Sequence, residues 1–276
     1  ECHVYENRCG FSQGQGVVLD GEAATPDIGV LMQENQGTIF QDIPELEWVE
    51  TKEDGKKRPI KSYVLRGSYL RTYQVQAIRR YYGTYGIPYS KTKLEWNQVF
   101  GNDNPVVIEI GFGMGTATER IAKERSQYNY LGLEVFLSGF AKLLHAVGSG
   151  HLDNVRLMRF DAVEVLSTMV EDGSIAGFHI FFPDPWPKKR QQKRRLIQAP
   201  FARLLASKLK SGGYIYCVTD WEEYAFQMLD VFSHTEGLHN PHPGFCPPVP
   251  WRDTTKFEQK GRAKQHTICE VWFEKQ

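Results

Sequence analysis

Three glycines at alternate positions follow an apolar run in the middle of the chain: Gly111, Gly113 and Gly115 come directly after Val106–Ile110. Glycine tolerates positive φ and lets a ligand approach the main chain, so a strand followed by such a turn is typical of a nucleoside site. Glu109, two residues before the first glycine, suits a cationic ligand better than a pyrophosphate. The pattern favours a ligand with an ammonium or sulfonium group, such as S-adenosylmethionine. An ordinary tight turn is the alternative.

Acidic residues mark the ends of five consecutive predicted strands: Glu109, Glu134, Asp161, Asp184 and Asp220. In open α/β sheets, ligands bind outside the carboxyl ends of the strands. The second acid is placed to accept the hydroxyls of a ribose, and the third to receive the amino group of an adenine. Any one of these acids could instead be a helix N-cap. Five in succession favour a binding site.

The stretch FFPDPWPKKR, residues 181–190, carries the densest combination of chemical groups. Its three prolines stiffen the loop around Asp184 and Trp186. The run KKRQQKRR, residues 188–195, follows at once and has six basic residues out of eight. A basic run is often only a solvated face. Joined to a stiff loop beside a reaction centre, it is typical of a clamp for nucleic-acid phosphates.

Strands alternate with amphipathic helices from Val106 onward, which predicts a Rossmann-like α/β fold with a mostly parallel sheet and helices on both faces. The predicted strands are 106–110, 128–134, 155–159, 177–182, 213–219 and 266–273. The predicted helices are 72–82, 116–125, 137–147, 162–169, 195–209 and 222–232. The last strand follows a long irregular stretch, so we expect it to run antiparallel, at or near the edge of the sheet.

Three segments differ in composition. Residues 1–55 are rich in Gly, Gln, Glu and Asp without a sustained apolar period, and we expect a poorly ordered or loosely docked extension. Residues 56–100 interleave arginine and lysine with tyrosine, which suits RNA binding or a solvated helix packed on the core. Residues 101–276 form the predicted catalytic domain.

The bulk composition excludes several classes of protein. Lys and Arg together number 33, as do Asp and Glu, so any nucleic-acid binding must come from local patches. The five cysteines are scattered and form no C-x-x-C pair, so we expect neither a metal site nor disulfides. No apolar run is long enough for a membrane span, and no signal peptide is apparent. We therefore expect a cytoplasmic protein with no membrane partner.

In combination these motifs resemble those of the bacterial tRNA (guanine-N7-)-methyltransferases. The resemblance runs from about Pro59 to the C-terminus. Its stretches are VIEIGFGMG (107–115), LGLEV (131–135), FDAVEVL (160–166), FFPDPWPKKR (181–190), KRR (193–195), VTDWEEYA (218–225) and TKFEQKG (255–261). The resemblance implies a class I methyltransferase fold with a seven-stranded sheet. It also implies methyl transfer to guanine N7 in the variable loop of tRNA.

Roles carry over by motif. The resemblance implies that S-adenosylmethionine contacts Glu109, Glu134, Asp161 and Asp184, together with the glycine turn. It implies that the RNA substrate contacts Lys188, Asp220, Thr255, Lys256, Phe257 and Glu258. We expect the RNA backbone to lie against Lys189, Arg190, Lys193, Arg194 and Arg195. The predicted partner is tRNA, with no obligate protein partner, and the chain is expected to be a monomer or a homodimer.

Methylation of guanine N7 needs no general base, because that nitrogen carries a free lone pair and no proton. Catalysis then depends on alignment and on negative charge near the forming cation, and Asp184 is the expected catalytic group. Asp220 and Glu258 suit the donors on the Watson–Crick edge, and Trp186 or Trp221 could stack on the unstacked base. The alternatives are a methyltransferase acting on a protein or small molecule, a non-catalytic RNA-binding module and, least favoured, a nicotinamide dehydrogenase.

Overall fold

The computed structural model describes residues 60–64, 69–252 and 267–276, together with Ile43, Leu46 and Glu258. Its centre is a sheet that has seven strands among the described residues, in the order β3-β2-β1-β4-β5-β7-β6. The strands are β1 (Val106–Ile110), β2 (Asn129–Leu133), β3 (Val155–Met158), β4 (Ile175–Phe181), β5 (Leu209–Thr219), β6 (Leu238–His239) and β7 (Cys269–Lys275).

The strand directions confirm the predicted fold class. Neighbouring strands from β3 to β5 pair in parallel, with Glu109 of β1 in register with Gly132 of β2 and His179 of β4. β7 runs antiparallel to both β5 and β6. The antiparallel strand therefore lies one position inside the edge, which the two-residue β6 occupies. The carboxyl ends of β1 to β5 meet at one edge of the sheet, called here the carboxyl edge.

The described helices are α1 (Thr72–Tyr85), α2 (Trp96–Phe100), α3 (Thr116–Glu124), α4 (Leu137–Ser149), α5 (Ala162–Thr168), α6 (Ala199–Lys208) and α7 (Glu222–Ser233). A 3₁₀ helix covers Lys189–Arg194. These helices cover both faces of the sheet, and all five residues of β1 are buried as a result. Val107 packs into one core and Ile108 into the other. Full burial of such side chains is worth about 1.5–3 kcal/mol each.

Several elements differ from the sequence-based expectation. α6 begins at Ala199 rather than near Arg195, because the basic run forms the 3₁₀ helix and Pro200 occupies the first turn of α6. α2 and β6 were not predicted, since five and two residues are too short to show a period. β5 begins at Leu209, and its pairing with β4 has an irregular register between Ile175 and Gly177.

Two residues of the N-terminal extension are described, and both pack against the cores. Leu46 is 1% exposed, and its carbonyl accepts a hydrogen bond from the Arg159 guanidinium. Ile43 packs against the same apolar cluster as Leu46. The division into a 1–55 extension, a 56–100 segment and a 101–276 domain otherwise stays a prediction. No helix in the described part of the chain has the length and apolarity needed to cross a membrane.

Candidate active site

A cavity of about 220 Å³ opens at the carboxyl edge of the sheet, and it is called here the cleft. Its walls come from the ends of β1, β2 and β4, from the residues after β3, and from a segment that precedes α1. The polar and turn residues among its lining are Ser62, Tyr63, Gly111, Glu134, Asp161 and Asp184. Three of the five predicted strand-end acids therefore share one cavity.

The glycine turn between β1 and α3 leaves room beside the cleft. All three of its glycines have positive φ: 75° at Gly111, 56° at Gly113 and 73° at Gly115. A Cβ atom on either of the first two would meet no described atom within 4 Å, whereas one on Gly115 would lie 2.5 Å from Leu143. The first two glycines thus leave space that a ligand can fill, and the third allows α4 to pack closely.

Glu134 is fixed by the backbone of the same turn. It is 8% exposed, and its Oε2 accepts a hydrogen bond from Gly113 N at 2.7 Å. Its Oε1 accepts from Val135 N at 2.7 Å and from Phe136 N at 3.0 Å. Burial raises the pKa of Glu134, these backbone donors oppose the rise, and the Asp184 carboxylate adds to it. The carboxylate is thereby held rigidly at the end of β2.

Glu109 lies beneath the turn and is not among the cleft-lining residues. Its side chain is buried, with the residue 2% exposed, and Oε2 has no hydrogen-bond partner in the part of the chain that the structure describes. Burial raises its pKa to about 8, which the neighbouring Thr118 hydroxyl opposes and the Glu134 carboxylate increases. The Thr118 hydroxyl lies near Glu109, but it is not within hydrogen-bonding distance and angle of any described residue. A cation bound nearby would lower this pKa and favour the ionised carboxylate.

Asp161 caps α5, and it also meets residues that sequence reasoning did not connect with the site. Its Oδ1 accepts from Val163 N at 2.8 Å, as an N-cap does. Its Oδ2 accepts from Lys61 Nζ at 2.8 Å and from Tyr63 OH at 3.0 Å. The sequence marked this region only as basic and aromatic, and nothing in it signalled a contact with an acid about 100 positions away.

The loop after β4 holds a strained backbone. Phe182 and Trp186 have φ values of 49° and 45°, a region that large side chains rarely adopt. The Trp186 indole donates from Nε1 to Ser62 O at 3.0 Å, and the Arg194 guanidinium lies 4.1 Å from its ring centroid. Trp221 packs against the core. Whether either indole stacks on a base stays a prediction, but Trp186 already has these partners.

The residues of the basic run differ in their exposure to solvent. Lys188, Lys189, Arg190 and Lys193 are exposed, as is Asp184 in the loop before them. Arg195 is 3% exposed and donates to Pro185 O at 2.7 Å and to Gln227 Oε1 at 2.6 Å. The predicted contact of Arg195 with the RNA backbone does not fit this placement. Its guanidinium instead fastens the loop to α7.

The remaining predicted substrate residues lie outside the cleft lining. Asp220 is half-buried at the end of β5. Glu258 is 1% exposed, and its Oε2 accepts from Arg252 at 2.7 Å. Arg252 also donates to Glu270 at 2.6 Å and to the Tyr216 hydroxyl at 2.7 Å, so Glu258 belongs to a buried ion network. Thr255, Lys256 and Phe257 fall outside the described residues.

Comparison with known proteins gives the family. Residues 103–271 match the family model described as "Putative methyltransferase". The tRNA (guanine-N(7)-)-methyltransferase of Neisseria meningitidis is 47% identical over 218 residues, which cover 79% of this chain and 92% of that protein. The protein of the same name from Neisseria gonorrhoeae is 44% identical over 85% of this chain and 98% of its own length. The chain belongs to the tRNA (guanine-N7-)-methyltransferase family.

Membership confirms the resemblance drawn from the motifs. A further protein of this name, from Bordetella pertussis, is 44% identical over 78% of this chain and 85% of its own length. Among solved structures, the 16S rRNA methyltransferase KamB has a TM-score of 0.49 at 11% identity, covering 66% of this chain and 93% of that one. The assignment depends on the sequence relatives and not on that likeness.

The cleft fits the adenosyl part of S-adenosylmethionine, the cofactor predicted from the sequence. Gly111, beside which the described residues leave open space, borders the cavity together with the Glu134 and Asp161 carboxylates. Carboxylates accept hydrogen bonds from ribose hydroxyls and from an adenine amino group. Glu109 Oε2, beneath the turn, has no hydrogen-bond partner among the described residues, and its contact with the cationic methionine end stays a prediction.

Proposed function

We propose that this protein transfers the methyl group of S-adenosylmethionine to N7 of a guanine in the variable loop of tRNA. The observation that carries the proposal is the meeting of Glu134, Asp161 and Asp184 in one cleft, in a chain of this family. The exposed basic residues Lys189, Arg190 and Lys193 follow the Asp184 loop directly. A phosphate backbone bound there would bring a base to the cleft.

Cofactor binding is assigned to residues from three strand ends. Glu134 would accept the ribose hydroxyls, and Asp161 the amino group of adenine. The glycine turn and Glu109 would face the methionine end. When bound, S-adenosylmethionine supplies an electrophilic methyl group on a positively charged sulfur.

Asp184 acts on the charge that the reaction creates. Attack by the N7 lone pair makes a cationic base and requires no proton transfer at that nitrogen. A carboxylate at the mouth of the cleft stabilises this developing charge, and its stiff proline-bounded loop holds it in place before the reaction. Asp220 stands at the next strand end, where it would accept hydrogen bonds from the Watson–Crick edge of guanine. Glu258 would contribute to that recognition only if its bond to Arg252 opened.

The test is methyl transfer from labelled S-adenosylmethionine to unmodified tRNA transcripts. One transcript carries guanosine at the variable-loop position, and a matched one carries 7-deazaguanosine there, which lacks the N7 lone pair. We expect label in the first and none in the second. Equal labelling of both would overturn the assignment of atom and position, and transfer to no tRNA despite cofactor binding would overturn the assignment of substrate.

A further inference from the structure

The segment of residues 60–64, called here the strap, borders the cleft from outside the sheet. Ser62 and Tyr63 are among the residues that line the cavity. The strap precedes α1 in the chain, so it is not one of the strand-to-helix turns that ordinarily build such a site. Its neighbours in the cleft are Asp161 from the end of β3 and the loop that carries Asp184.

Two side chains of the strap donate to one oxygen of Asp161. Lys61 Nζ lies 2.8 Å from Oδ2, and the Tyr63 hydroxyl lies 3.0 Å from the same atom. The other oxygen, Oδ1, accepts a hydrogen bond from the N–H of Val163. A carboxylate oxygen has two lone pairs, so these two donors fill the side of Asp161 that the α5 cap leaves open. The adenine amino group is a donor as well, and at Oδ2 it would need the same lone pairs.

The backbone of the strap is held by the loop after β4. Arg194 donates from Nε to Lys61 O at 3.0 Å and from a terminal nitrogen to Tyr63 O at 2.7 Å. Trp186 donates to Ser62 O at 3.0 Å, between those two carbonyls. Three successive carbonyls therefore accept hydrogen bonds from side chains of this loop and of the 3₁₀ helix that follows it. The strap is fixed by its side chains on Asp161 and by its backbone on that loop.

Lys61 has a second anionic neighbour outside the cleft. Its Nζ lies 3.0 Å from Glu164 Oε1, and the Glu164 side chain is 44% exposed whereas that of Asp161 is 6% exposed. An ammonium that leaves Asp161 therefore keeps an ionic partner at the rim. Because that partner is already in place, exchange of Lys61 for a ligand does not require an unpaired charge.

We propose that the strap is a built-in competitor for the adenine end of the cofactor site. Lys61 and Tyr63 donate to Asp161 where the amino group of an adenosyl ligand would donate, and the ligand must displace them to bind. Arg194 and Trp186 act as a latch that keeps the competitor in place. The proposal rests on the proposed function only for the identity of the ligand, an adenosyl compound.

The test uses the full chain and S-adenosylhomocysteine, whose binding needs neither turnover nor RNA. Calorimetry would compare the wild type with Lys61→Met and Tyr63→Phe. We expect tighter binding, by roughly tenfold for Lys61→Met and by about two- to tenfold for Tyr63→Phe. Tyr63→Phe removes only a hydroxyl, so its effect separates competition from a change of net charge. Lys123→Met is the matched control, because Lys123 pairs with Glu119 within α3, and its affinity should equal that of the wild type.

The latch is tested through Arg194, which is not a cleft-lining residue. Arg194→Met should also tighten binding by several-fold, and Lys61→Met added to it should give less than the product of the two effects. Weaker binding in Lys61→Met and Tyr63→Phe would overturn the proposal, since the strap would then be a supporting wall. Unchanged binding in both would overturn it as well, and circular dichroism would confirm that each variant is folded.

The outcomes also separate this proposal from the proposed function. A wild type that binds S-adenosylhomocysteine and shows these shifts, yet methylates no tRNA, would end the proposed function and leave the strap proposal standing. Failure of S-adenosylhomocysteine to bind any of the variants, Lys61→Met included, would overturn both.

Discussion

Asp184 and Glu134 border the same cleft but differ in environment. Glu134 is buried and bonded to three backbone N–H groups, whereas Asp184 is exposed on the loop after β4. A carboxylate that fixed donors hold in one orientation is suited to positioning a ligand. A carboxylate at the mouth of the cleft can respond to charge that develops on an incoming base. This contrast is why the catalytic role is assigned to Asp184.

Asp184→Asn removes that charge while it keeps the size and shape of the side chain. We expect kcat for methyl transfer to tRNA to fall by about 10²- to 10³-fold, because an electrostatic contribution to the transition state is lost. S-adenosylhomocysteine affinity should change by only a few-fold. Asp230→Asn, on the outer surface of α7, is the control and should retain wild-type rates. A near-normal kcat in Asp184→Asn would remove this residue from the mechanism.

Glu109 should make the stability of the ligand-free protein depend on pH. Burial raises its pKa from 4.5 to about 8, so between these values the folded state keeps a proton that the unfolded state has lost. The free energy of unfolding must therefore decrease as pH rises through this window, by an amount on the order of a few kcal/mol. Glu109→Gln abolishes this titration and should give a flatter dependence, with higher stability near pH 8.

The measurement is Tm between pH 5 and pH 8.5 in the wild type, in Glu109→Gln and in Glu171→Gln. Glu171 is a fitting control, since its side chain is 65% exposed and its ion pair with Lys93 is long, at 3.7 Å. The control should follow the wild type. If Glu109→Gln loses as much stability between pH 5 and pH 8 as the wild type does, the buried carboxyl is not the titrating group.

At the scale of elements, the pattern of apolar residues along the sequence was enough to predict the strands whose ends form the cleft. β1 was predicted with its observed bounds, and β2, β3 and the end of β4 were predicted to within one residue, because strands buried on both faces are continuous apolar runs. Their order made it predictable that the acids would meet at one edge. Exposure was less predictable: Glu109 proved to lie under the turn because its side chain points toward α3, where it adjoins Thr118.

The elements that could not be predicted depend on contacts between distant parts of the chain. The sequence of the strap shows neither helical nor strand periodicity in its apolar residues. Its position follows from hydrogen bonds to Asp161 and Arg194. Arg195 belongs by composition to a basic run, yet it is buried because Gln227, Glu223 and Pro185 O surround its guanidinium. Composition cannot distinguish such a residue from its exposed neighbours. Only the packing of the loop on α7 does so.

The packing of α4 on the glycine turn is close enough to test by adding one methyl group. A Cβ atom on Gly139 would lie 2.1 Å from the carbonyl oxygen of Gly113, so Gly139→Ala must push helix and turn apart. We expect a loss of stability of about 1–3 kcal/mol. The affinity for S-adenosylhomocysteine should fall at least tenfold, since the turn moves with its ligand-facing backbone. Urea unfolding and calorimetry measure the two effects.

Gly83 in α1 provides the opposite control. A Cβ atom there would meet no atom of the described residues within 4 Å, so Gly83→Ala gains helix propensity without a clash with them. It should stabilise the protein by about 0.5–1 kcal/mol and leave cofactor affinity unchanged. If Gly139→Ala were as harmless as Gly83→Ala, the close contact between α4 and the turn would not be what shapes the cleft.

At the scale of the whole molecule, charge is balanced but unevenly distributed. The formal net charge is zero, so no overall field draws a polyanion to the protein. The exposed Lys189, Arg190 and Lys193 lie on the 3₁₀ helix that follows the Asp184 loop. Lys123, Lys210 and Lys275 lie where α3 ends, β5 begins and β7 ends, which places them at the opposite edge of the sheet. Binding of tRNA should therefore depend on where the basic residues lie rather than on the total charge of the protein.

The salt dependence of tRNA binding tests this distribution. Each phosphate contact that is lost reduces the slope of log K against log salt by roughly 0.7 to 0.9. The triple variant Lys189→Gln, Arg190→Gln, Lys193→Gln should therefore bind more weakly at low salt, with a slope reduced in magnitude by about 2 to 3. S-adenosylhomocysteine affinity should stay unchanged, because these three residues are not among those that line the cleft.

The matched control changes Lys123, Lys210 and Lys275 to Gln, which removes the same total charge from the other edge. Its slope should equal that of the wild type if RNA lies against the carboxyl edge alone. An equal reduction of the slope in the two triple variants would mean that tRNA responds to the net charge of the protein. The hypothesis of a phosphate clamp beside Asp184 would then have to be abandoned. A reduction of the slope confined to the first variant would place the RNA backbone on the 3₁₀ helix, within reach of the loop that carries Asp184.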